Sequence, residues 1–85
     1  MSSRPMKVRQ NVVDDAKALF ESGDLNVEAQ RAIFKRVTGT DCELTDEQVM
    51  IASMTEDDDE NEFVHACRHI AMYGFEIMSD DEKTA

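Results

Sequence analysis

The sequence predicts an all-α fold, a compact bundle of about four helices. Three observations lead there. Apolar residues recur at helical spacing in four separate segments. Residues that start and stop helices stand between those segments. No stretch alternates apolar and polar residues as a half-buried strand would, and the only proline is Pro5. The expected helices are approximately 9–22, 27–38, 46–54 and 58–78. They belong to one domain, 1–85, with 1–8 and 79–85 as flexible tails.

The first helix is expected to begin between Val8 and Asn11 and to run to about Ser22. Val8, Val12, Ala16, Leu19 and Phe20 fall on one face, with Asp14, Lys17 and Glu21 opposite. Gly23 is a suitable stop. The second helix takes Asn26 as N-cap and Gly39 as the residue after its end. Val27, Ile33, Phe34 and Val37 form its stripe. Arg31, Lys35 and Arg36 lie away from it, the last two where cations favour the helix dipole.

The third helix has the clearest start. Thr45 and Gln48 have capping-box spacing, and Leu44 and Val49 occupy the positions of a hydrophobic staple. Val49, Met50, Ile51, Ala52 and Met54 make it apolar nearly all round, which predicts a central position. The fourth helix starts within Thr55–Asn61 and is expected to reach Met78. Phe63, Cys67, Ile70, Gly74 and Ile77 form its stripe, and Glu62, His65, His69, Met72 and Glu76 its opposite face. Gly74 costs about 1 kcal/mol inside a helix. In the middle of an apolar stripe it would permit close approach of a neighbouring helix. The alternative is that the helix ends at Tyr73–Gly74.

Composition narrows the function. The chain has 85 residues, of which 41% are hydrophobic, enough for one modest core. It carries 19 acidic and 9 basic residues, a net charge of −10, and its pI is about 4.4. That charge disfavours direct contact with nucleic acid or an anionic membrane, both polyanions. It is also uneven. Up to Thr38 the chain has seven basic and five acidic residues, net +2; beyond it there are two basic and fourteen acidic, net −12. The densest segment is Glu56, Asp57, Asp58, Asp59, Glu60, Asn61 and Glu62. Seven residues of helix rise about 10.5 Å, a length over which duplex DNA carries about six charges. The six carboxylates are therefore the candidate partner-binding surface: a docking site for a basic protein, with DNA mimicry as its extreme form. The plain alternative is a solvated helix cap, since acids favour helix N-termini.

No motif signals catalysis. Glu62, His65 and His69 are weak candidate metal ligands, because i, i+4 histidines share a helix face. That face points to water and lacks further ligands, so no metal or other cofactor is expected. The Asp57–Glu62 run lacks the glycine and the ligand alternation of a calcium loop. Cys67 points into the apolar stripe, away from both histidines, as a buried inert thiol; Cys42 falls in a loop. Met50, Met54 and Met78 read as core filling, and Met72 falls on a polar face. Arg31, Lys35 and Arg36 make a weak phosphate site; pairing with acids of the same chain or of a second copy suits them better. Two cysteines are too few for a disulfide scaffold, and neither a signal peptide nor a membrane span is apparent. A cytoplasmic protein with reduced thiols is therefore expected.

The leading expectation is a non-enzymatic binding module, an inhibitor, adaptor or regulator that docks on a basic partner such as a nucleic-acid-binding protein. Its size and charge suit a bacteriophage protein acting on host machinery, although no residue motif carries a family resemblance. The alternatives are a metal-binding or catalytic helical protein using Glu62, His65 and His69, and a self-assembling protein. In the latter, a homodimer would pair the basic second helix with the acidic fourth.

Overall fold

The computed structural model describes residues 4–55 and 59–78. Along the chain run β1 (Met6–Arg9), α1 (Gln10–Ser22), α2 (Val27–Thr38), α3 (Asp46–Thr55), α4 (Glu60–Tyr73) and β2 (Phe75–Met78). The four helices are those the periodicity predicts. No helix among the described residues is long and apolar enough to cross a membrane.

The helix boundaries follow from local chemistry. Asn26 caps α2: its side-chain oxygen accepts from the Ala29 N–H at 3.2 Å. At the start of α3 the Gln48 N–H donates to Thr45 Oγ1 at 3.2 Å, and the Thr45 N–H to Gln48 Oε1 at 2.9 Å. Two otherwise orphaned donors are satisfied reciprocally. Leu44 and Val49, the staple pair, are both buried. Helices α1 and α2 end at Gly23 and Gly39, each left-handed.

The core is centred on α3. Val49, Met50, Ile51 and Ala52 are all buried, and α3 packs against α1, α2 and α4. A helix with no polar face has no favourable place except between its neighbours. Around it lie Val13 and Ala16 of α1, Val27 and Phe34 of α2, and Phe63, Val64, Ala66, Cys67 and Ile70 of α4.

Near both ends the described residues differ from expectation; the tail expected over 79–85 lies outside the described residues. The last helix does not reach Met78. It stops at Tyr73, and Gly74 takes φ 78° and ψ −167°, with its N–H donating to the Ile70 carbonyl at 2.7 Å. A Cβ built on Gly74 would meet nothing within 4 Å. The glycine therefore serves backbone conformation and not the close approach of a second helix. After it, Phe75–Met78 forms β2, parallel to β1, with Met6 beside Phe75 and Val8 beside Ile77. The segment expected as a tail over 1–8 thus contributes Met6–Val8 to a strand, and Val8, expected on the first helix, is buried there. Four-residue strands place two side chains on each face, too few for alternation to register in a sequence. The fold is mostly helical, with a small parallel sheet joining its ends.

Candidate partner-binding surface

Of the six carboxylates in the acidic run, Glu56, Asp57 and Asp58 lie outside the described residues. The other three have separate roles. Asp59 is the extended N-cap of α4: its carboxylate accepts from the Asn61 N–H at 2.9 Å, and its carbonyl accepts from the N–H groups of Glu62 and Phe63. Glu60 forms an ion pair with Arg36 of α2. Glu62 is exposed in the first turn of α4. Because α4 begins at Glu60, the run is not one continuous stretch of helix. The charge spacing computed for seven helical residues therefore does not hold across it.

The basic face of α2 is committed within the chain. Arg31 donates from Nη1 to the Cys42 carbonyl at 3.1 Å and from Nη2 to Asp46 Oδ1 at 2.9 Å. Lys35 lies 3.3 Å from Asp41. Arg36 holds Glu60, and this hydrogen bond, reinforced by the carboxylate's charge, raises the guanidinium pKa above its ordinary value. Such exposed pairs contribute little to stability. They do locate the loop before α3 and the first turn of α4 on α2. They also engage the three cations of α2 weighed for a phosphate site or for a second copy's acids.

Acids also stand at the starts of α3 and α4. Asp46 and Glu47 stand in the first turn of α3, and Glu60 and Glu62 in the first turn of α4. Backbone N–H groups and the positive ends of the helix dipoles favour negative charge there. Glu43, Glu47, Asp59 and Glu62 are exposed and have no ion-pair partner among the described residues.

Among the described residues no group of three His, Cys, Asp or Glu side chains is placed to hold a metal ion. His65 is exposed on α4. His69 Nε2 lies 2.9 Å from the Arg4 carbonyl, and its ring meets Tyr73 edge-on at 4.9 Å. This histidine ties the segment before β1 to α4. Cys67 is buried and Cys42 half-buried. Met72 is 72% exposed, as its place on the helical wheel implies.

Sequence reasoning missed a cleft of about 480 Å³ at the turn between α1 and α2. Its apolar lining includes Phe20, Leu25 and Val27, and its charged lining Glu28, Arg31 and Asp46. Phe20, which periodicity places on the apolar face of α1, is 44% exposed. Val37 of α2 is similarly exposed. Helical periodicity gives the direction of a side chain and carries no information on whether another element reaches it, so neither exposure was legible.

The chain matches no family model, no curated protein and no solved structure.

Proposed function

We propose that this chain is a non-enzymatic acidic binding module that docks on a basic protein surface as an inhibitor, adaptor or regulator. The observation that carries this reading is the distribution of unpaired charge. All three cations of α2 are engaged by acids of the same chain, while Glu43, Glu47, Asp59 and Glu62 remain exposed without a countercharge among the described residues. A net charge of −10 would steer a cationic partner at long range, with association that weakens as salt rises. DNA mimicry is a narrower form of the same reading. It needs carboxylates at regular phosphate-like spacing, and the break at Asp59 argues for ordinary charge complementarity.

The test is capture from lysate on the immobilised protein, with elution by rising salt and duplex DNA as competitor. It is run beside a Glu47→Gln, Glu62→Gln double variant. A basic protein retained by the wild type, released by salt and held less well by the variant is the expected result. Displacement of that protein by DNA would favour mimicry. Retention unaffected by salt and by the double variant would refute the electrostatic reading.

A further inference from the structure

The apolar face of α1 outlasts the core that covers it. Val13 and Ala16 are buried. Phe20 stands four residues beyond Ala16 and seven beyond Val13, so it occupies the same face of the helix. It is nevertheless 44% exposed, because in this last turn it borders the cleft and not another packed element. Leu25 and Val27 continue the apolar lining from the far side of the turn. A cleft of about 480 Å³ falls in the range of about 300–1,000 Å³ typical of built binding sites.

Acids outnumber cations around the cleft, since Arg31 of the lining is paired with Asp46 and Glu28 adds a further negative charge. Glu28 lines the cleft without an ion-pair partner among the described residues. Glu21, in the last turn of α1, and Asp24, in the turn that follows, are exposed. The nearby cations are Arg31, held by Asp46 and the Cys42 carbonyl, and Lys17, one turn before Phe20.

We infer that this cleft takes one large apolar side chain, aromatic or aliphatic, from a basic peptide segment of a partner protein, with flanking lysines or arginines meeting Glu28 and the acids of the turn. The apolar lining calls for an apolar occupant, and the acidic rim calls for cations on either side of it. Such an anchor supplies affinity where exposed charge supplies mainly approach rate. The site is formed by residues other than those of the acidic run and does not depend on that run's role.

The probe is the peptide Lys-Lys-Trp-Lys-Lys, titrated into the full chain at low salt and followed by amide NMR shifts. Lys-Lys-Gly-Lys-Lys and N-acetyltryptophanamide serve as controls. The expected result is a shift of the Phe20, Leu25, Val27 and Glu28 signals. Affinity should be about tenfold or more above either control, the factor that separates an anchoring contact from a neutral one. Phe20→Ser should remove the advantage of tryptophan over glycine and leave the salt dependence. Glu28→Gln should lower the affinity of both peptides. Equal binding of the two peptides, or no effect of Phe20→Ser, overturns the anchor. Tryptophanamide binding as well as the peptide overturns the charged rim. Shifts confined to Glu47, Glu60 and Glu62 overturn the cleft and leave the acidic surface as the docking site. No shift up to about 1 mM peptide, the weakest Kd such a contact warrants, overturns the proposal altogether.

Discussion

At Gly74 the backbone takes φ 78° and ψ −167°, a conformation in which a side chain is strained. A Cβ there would touch nothing within 4 Å, so the cost of Gly74→Ala is purely conformational. We expect a loss of about 1–3 kcal/mol, read as a fall in Tm of about 4–8 °C per kcal/mol for a domain of this size. Were α4 to continue through Gly74, alanine would instead stabilise by about 1 kcal/mol. The sign of the change in a thermal melt therefore separates the two backbones. Thr45 offers a second residue-scale test. Its hydroxyl accepts from the Gln48 N–H at the start of the most buried helix, and Thr45→Ala should cost about 1 kcal/mol by denaturant unfolding. The caps at Thr45 and Asn26 were legible because a cap depends on residues within one turn of each other. Gly74 was ambiguous because both of its uses, within an apolar stripe and at a reversal of φ, are properties of glycine.

The elements divide along the same line. Each helix contains its own hydrogen-bond ladder and its own apolar stripe, so four of the six elements could be placed from local pattern. The sheet could not, because β1 and β2 become strands only by pairing with each other across nearly the whole described chain. The candidate acidic site was legible as composition and illegible as geometry. Nothing local to Glu60 says that Arg36 reaches it, or that Asp59 will cap instead of joining the helix. The sheet matters to stability through Val8, which is 2% exposed. Val8→Ala removes two methyl-sized groups from a packed site, and we expect a loss of about 2 kcal/mol from transfer and cavity terms together. In native-state hydrogen exchange the Met6 amide, which donates to the Gly74 carbonyl at 3.0 Å, should be protected and should lose that protection in the variant. A change near zero on both measurements would mean that residues 6–9 behave as a tail.

For the whole molecule the decisive quantity is the balance between net repulsion and local pairing. The ion pairs among the described residues, Arg31–Asp46, Lys35–Asp41 and Arg36–Glu60, involve atoms within 4 Å. The repulsion of a net charge of −10 acts across a body whose shortest extent is 21 Å. Screening separates these two lengths. The Debye length falls from about 30 Å at 0.01 M salt to about 8 Å at 0.15 M, which removes most repulsion across the molecule and leaves contacts inside 4 Å largely intact. Added salt should therefore stabilise the fold, with Tm rising by several degrees over that interval, since about 1 kcal/mol corresponds to ~4–8 °C. Glu43→Lys should raise Tm at about 0.01 M and change it little at about 0.15 M. Glu43 is exposed in the loop before α3, in no ion pair among the described residues and outside the first turn of any helix, so the change relieves repulsion without breaking a pair. A Tm that falls with salt would mean that the three pairs outweigh the net charge. The acidic surface would then be part of what holds α2, α3 and α4 together, and not a surplus of charge directed at a partner.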